Sequence, residues 1–358
     1  MSLPRLLLAS ALCLLAQSAA AAPPRTVFKL ELDGVKLEGT SLAATASQML
    51  LLDREGKLWD FHPDQARNVQ ATTTVFHAYP SGVVRSRLQA EFGKGYDVTG
   101  TGHYLVVHPA GQKDQWGQRF ENLYRSFWHY FSVRGFKLTE PEFPLVAVVL
   151  PSRDDFQRYA HRTGTNASPG VIGYYSPQTN RVAMYDLGGG DGKQIGSENL
   201  ATIIHEATHQ TAFNTGIHNR FCQTPRWVAE GLGTLFEAPG VWNSRSNARY
   251  RDRLNPGRKA DFDRLVAQRP ADRLPQLISG DRLFQADPTA AYAEAWAFTH
   301  FLVETRPRDY SAYLAKTAAR GNFTGYSAAQ RQADFTAVFG QNLQLLDAQF
   351  VKFMRTGK

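Results

Sequence analysis

Cysteine is nearly absent from this 358-residue chain, which carries only Cys13 and Cys222. Cys13 falls in an apolar leader, so a processed chain keeps one thiol and no internal disulfide, and its stability has to come from packing. Cys222 reads as a small buried apolar side chain. Long apolar runs are missing too: beyond the leader nothing approaches the roughly eighteen residues a spanning helix needs, so no membrane span is expected. Blocks of like charge are also absent. The 40 Lys and Arg are interleaved with 32 Asp and Glu, for a formal net charge of +8. That surplus reads as solvated surface with weak contact to anionic envelope polymers, and no specific nucleic-acid site is expected. Neither an internal repeat nor a low-complexity tail appears.

What is there begins with Arg5, the apolar stretch Leu6 to Ala16 and the small residues Ser18 to Ala22. Residues 1–22 therefore read as a secretory signal peptide, which predicts an exported protein, periplasmic or secreted. Leu12 stands before Cys13 where a lipoprotein signal carries a small residue, so no lipid anchor is expected.

Residues 23–92 read as a β-rich N-terminal module, with short apolar runs at Val27 to Leu32, Val35 to Leu37, Met49 to Leu52 and Leu58 to Phe61. Residues 93–358 read as a second, mainly helical domain. Within it, Tyr104 to His108 and Leu145 to Leu150 have strand character. Trp116, Phe120, Leu123, Phe127, Tyr130 and Phe131 recur at helical spacing and predict a helix over Asp114 to Val133. Ser152 with Asp154 and Asp155 marks the start of another. Val171 to Tyr175 and Arg181 to Tyr185 flank the turn-forming Ser176 to Asn180 and predict a hairpin. Gly188 to Lys193 is glycine-rich, but Leu187 and Gln194 break the phosphate-loop pattern, so it reads as a mobile loop. A helix with Ser197 as N-cap, Glu198 in its first turn and Asn214-Thr215-Gly216 as its stop follows, and another capped by Thr224 with Pro225 at its first position.

The most informative segment is His205-Glu206-Ala207-Thr208-His209. On a helix, positions four apart differ by about 40° around the axis, so both imidazoles leave one face, a turn apart. That suits two ligands on one ion. Glu206 lies beside them, where its carboxylate can hold and deprotonate a metal-bound water. A catalytic zinc takes three protein ligands and leaves its fourth position to water, and the expected third is Glu230 in Trp227-Val228-Ala229-Glu230-Gly231. The pattern that supplies a third histidine is not met, because Ala212 and Thr215 occupy its glycine and histidine positions and His218 comes too late. Glu237, about two turns beyond Glu230, is a rival carboxylate or a solvated helix-end acid.

These two motifs resemble those of the gluzincins, zinc metallopeptidases with HExxH and a downstream glutamate. From about Gly95 to Lys358 the chain is similar to a group of exported bacterial gluzincin-like proteins of unknown function. The resemblance implies an α+β, zincin-like fold, with a mainly helical catalytic domain and a small mixed sheet, preceded here by the β-rich module. It implies Zn2+ held by His205, His209 and Glu230, and Glu206 as general base in hydrolysing a peptide or protein substrate. Thr234, one turn after the glutamate ligand, occupies the position that in this family often orients the first histidine. Tyr292 matches a tyrosine on a downstream helix and is the expected donor to a tetrahedral oxyanion. The hairpin resembles an edge strand that holds extended substrate by backbone pairing. The Gly-x-Met-Glu-Asn segment of zinc aminopeptidases is absent, which leaves endopeptidase as the default. The alternative is a non-catalytic envelope-binding protein with a structural or relic metal site.

Overall fold

The computed structural model describes residues 25–112, 116–168, 170–186 and 197–357, with the backbone alone at 197–199. The expected signal peptide and the Gly188 to Lys193 loop lie outside the described residues.

The fold is α+β, with two five-stranded sheets and a helical C-terminal part. The first sheet contains β1 (Thr26–Leu32), β2 (Val35–Ala44), β3 (Met49–Asp53), β4 (Leu58–Phe61) and β5 (Ala66–Val75), in the order β4-β3-β2-β1-β5. Leu32 pairs with Val35, so Asp33 and Gly34 make the whole β1–β2 turn, with φ of 49° and 78°. Asp-Gly tolerates this pair of left-handed conformations, and the turn's twist matches the strands. β5 is a polar, largely exposed edge strand that apolar patterning did not predict.

A helix, α1 (Ser81–Phe92), follows within the stretch read as β-rich; its Val84 and Leu88 pack with Val98, Leu105 and Val107 of the second sheet. That sheet comprises β6 (Tyr96–Gly100), β7 (Tyr104–Pro109), β8 (Leu145–Leu150), β9 (Gly173–Ser176) and β10 (Arg181–Tyr185), in the order β6-β7-β8-β10-β9. β7, β8 and β10 run parallel, while β6 and β9 pair antiparallel at the two edges. All six β8 residues are buried. Helices cover both faces of this strand, which explains its unbroken apolar run. Leu145, Ala147 and Val149 face the main core with α2 (Gly117–Ser132), whereas Val146, Val148 and Leu150 pack with Phe156 of α3 (Arg153–Arg162). Ser152 caps α3 as expected, accepting from the Asp155 amide.

On the main-core face lies α4 (Ser197–Asn214), its Ile203, Ile204 and Ala207 buried. Gln210 fastens it to the sheet: the fully buried amide donates to the carbonyls of Val146 at 3.0 Å and Asn180 at 2.8 Å. The next helix, α5 (Arg226–Phe236), starts two residues after Thr224, with Pro225 at the capping position and no side-chain cap. A helical layer completes the chain: α6 (Pro239–Trp242), α7 (Pro256–Leu265), α8 (Arg273–Ser279), α9 (Leu283–Ala286), α10 (Pro288–Thr305), α11 (Pro307–Ala318), α12 (Ala328–Phe339) and α13 (Leu343–Thr356). α10 is its hub, buried from Ala293 through Val303. It touches α5 backbone to backbone. A Cβ on Gly231 would stand 2.2 Å from Thr299 Oγ1 and 2.6 Å from the Ala295 carbonyl, so only glycine permits this approach.

The N-terminal sheet docks through Val27, Leu52 and Phe76, which cluster with Phe143. Its polar contacts reach the β9–β10 hairpin: the Leu58 amide donates to the Gln178 carbonyl at 2.7 Å, and Arg220 bridges the carbonyls of Pro177 and Gly56.

His300 on α10 is 1 % exposed, stacked on Trp296, with Nε2 3.2 Å from the Tyr250 hydroxyl and Nδ1 unpartnered. Burial first, and then the Arg253 charge, push its pKa from 6.5 down to about 4. Between these values the unfolded chain takes up a proton that the folded chain refuses. The stability this group contributes is therefore full above pH 6.5 and lost as pH falls toward 4, up to about 3 kcal/mol. Urea unfolding at a series of pH values should show this acid limb, and His300→Gln should flatten it by about that amount.

Candidate metal centre

α4 carries the two histidines on its half-buried face, next to the stripe that packs on the sheet. Their rings stand perpendicular with centroids 4.6 Å apart, and their Nε2 atoms are 3.0 Å apart. α5 packs against α4 and brings Glu230 Oε2 to 3.3 Å from His205 Nε2 and 3.6 Å from His209 Nε2. His205, His209 and Glu230 thus converge and could hold a metal ion, the one such group among the described residues.

Burial alone would depress the His205 imidazolium, but hydrogen bonds to Glu230 and Glu237 raise its pKa well above the ordinary value. Burial alone would likewise raise the Glu230 carboxyl, yet the two imidazoles hold it well below the carboxylate range. Both shifts express one demand: positive charge beside a buried carboxylate. A proton or a cation can meet it.

Glu206 points to the edge of the sheet. Its Oε2 accepts from the backbone amide of Tyr175 on β9 at 2.7 Å, and burial pushes its pKa up despite the nearby imidazoles. Tyr292 on α10 neighbours Glu230 and Arg226; burial, then the Glu230 charge, push its phenol up to about 12. Arg226 Nε is 3.5 Å from Glu230 Oε1, leaving Oε2 to the histidines. Glu206 and Tyr292 therefore both lie near the cluster.

Thr234 does not orient His205. Its hydroxyl donates back along α5, to the Glu230 carbonyl at 2.7 Å and the Gly231 carbonyl at 3.2 Å. This is the usual fate of a helical threonine, whose side chain reaches the carbonyl four residues earlier. The orienting group is Glu237, whose Oε1 is 2.8 Å from His205 Nδ1. A carboxylate can only accept, so Nδ1 keeps its proton on Glu237, and loss of the Nε2 proton would leave that lone pair for a metal between His205, His209 and Glu230. Asn255 in turn donates to Glu237 Oε2 at 2.7 Å and to the Thr234 carbonyl at 3.2 Å. Gly233 supplies room: a Cβ there would lie 2.7 Å from His205 Cε1. Spacing marked Glu237 as an acid near the site; its role emerges only from where α5 ends against α4.

A family model described as a protein of unknown function (DUF1570) matches residues 199–324, about a third of the chain, including the described part of α4, all of α5 and α10. No curated protein matches the chain.

Two substitutions test the second layer. Glu237→Gln should weaken metal binding by about 10- to 100-fold while leaving the fold intact, read by competition with a chromophoric chelator. Gly233→Ala should likewise reduce affinity, because the added methyl must displace the His205 ring.

Proposed function

We propose that the chain is an exported zinc-dependent metallopeptidase that hydrolyses peptide bonds. Zinc fits the donor set: with ligands at about 2.0–2.1 Å, a tetrahedral ion has ligand–ligand edges of roughly 3.3 Å, and the three separations here run from 3.0 to 3.6 Å. Held by His205, His209 and Glu230, it would supply Lewis acidity and a nucleophile at neutral pH.

The observation that carries the reading is Glu206. A purely structural site has no use for a further carboxylate, half-buried and fixed by a backbone amide, beside a complete ligand set. As general base, Glu206 takes the proton of the attacking water and returns it to the leaving amine; its raised pKa moves it toward the range in which it can do both. Tyr292, kept protonated by its high pKa, donates to the tetrahedral oxyanion. β9 is an edge strand, and its open side suits an extended peptide paired backbone to backbone. Arg5, the apolar stretch and the small residues after it support export, and the residues that hold the metal and act on substrate all lie within 93–358.

Zinc per chain and hydrolysis of a quenched peptide library test the proposal. Glu206→Gln should retain the metal and lose about 10²- to 10⁴-fold in turnover. His205→Ala should lose both. Full activity in Glu206→Gln would sink the mechanism. Metal retained without cleavage of any peptide, together with chelator-induced unfolding, would establish the non-catalytic envelope-binding alternative.

A further inference from the structure

A second concavity, of about 690 Å³, lies between α2 and the segment around α6; no residue of the metal centre lines it. Its size is that of a small-molecule site. Four arginines line it, Arg125, Arg134, Arg245 and Arg253, together with His129, and no aspartate or glutamate does. Two of the cations are already neutralised: Arg125 Nε donates to the buried Glu121 at 2.9 Å, and Arg253 pairs with Glu304 at 3.1 Å. The other two are not. Arg134 donates to the Tyr130 carbonyl at 2.9 Å and rests on that ring at 3.6 Å. Arg245 is exposed and makes no ion pair among the described residues. The remaining wall is uncharged and mixed, with Asn122, Ser126 and Asn243 beside the apolar Val133, Val241 and Trp242.

We propose that this cavity binds a small anionic sugar, a phosphate or carboxylate carried on a hydroxylated scaffold. Guanidinium groups recognise either oxyanion by paired N–H donors, and the un-neutralised Arg134 and Arg245 are the ones that take it. Amide and hydroxyl side chains, which both donate and accept, meet the sugar hydroxyls. A polymeric anion would need a continuous basic track, and only two of the lining cations here are left un-neutralised. This site is independent of the peptidase reading.

Calorimetric titration of the full chain with glucose 6-phosphate, glucuronate, glucose and inorganic phosphate decides the matter. The charged sugars should bind at least tenfold more tightly than glucose, and whichever is tighter identifies the anion. Arg134→Gln/Arg245→Gln should weaken that binding at least tenfold, with circular dichroism unchanged; Arg245→Gln alone, on an exposed side chain, serves if the double variant misfolds. Equal affinity for glucose, no binding of either charged sugar at millimolar concentration, or undiminished binding by the variants would overturn the proposal. Inorganic phosphate binding as tightly as glucose 6-phosphate would overturn the sugar assignment.

Discussion

A carboxylate and two imidazoles held within 3.6 Å of each other, away from bulk water, cannot persist without positive charge between or upon them. The organisation of the site follows from that constraint. The three groups come from two helices, so the α4–α5 packing has to be exact to a fraction of an ångström, and its surroundings are built to make it so. Glycine at 231 lets α5 sit directly on the α10 backbone, and glycine at 233 leaves the His205 ring its place. Glu237 and Asn255 then hold that ring from behind.

The sheet does the same for α4. Gln210 ties the helix to β8 and to the β9–β10 turn, while Asn180 and Asn214 exchange amide hydrogen bonds at 2.8 and 2.9 Å. Asn180 adopts φ of 58° in that turn, a left-handed conformation asparagine tolerates. The N-terminal sheet reaches the same hairpin through Leu58 and Arg220. Since β9 also supplies the amide that holds Glu206, the module at the start of the chain buttresses that carboxylate at one remove. No local pattern in residues 23–92 signals this, because Leu58 and Gly56 make their contacts through the backbone, as any sequence would, and Glu55, 3.8 Å from Arg181, is one acid in a turn.

Elements with strong periodicity were legible. β8, the β9–β10 hairpin and α4 occupy the places that apolar runs, turn residues and caps predict, and α2 lies inside its predicted range. Elements whose stability is borrowed were not. β5 is largely exposed and exists because β1 offers a free edge; α1 buries only Val84 and Leu88, too little to stand out from a polar stretch. The Thr234 expectation failed for a local reason: inside a helix its hydroxyl finds a carbonyl of the same turn before it can reach a neighbouring helix.

By itself, the sequence determined whatever depends on neighbours along the chain: that His205 and His209 share a helix face with Glu206 beside them, that Glu230 sits on a following helix, and that Leu145 to Leu150 forms a strand. The tertiary structure alone decided that Glu230 faces the histidines, that Glu237 rather than Thr234 orients His205, that Tyr292 lies near Glu230 and that two unneutralised arginines line one cavity. The division has a physical cause. Helical and strand periodicities are set by backbone geometry within a few residues, whereas the approach of one helix to another is set by side-chain volumes summed over the whole core.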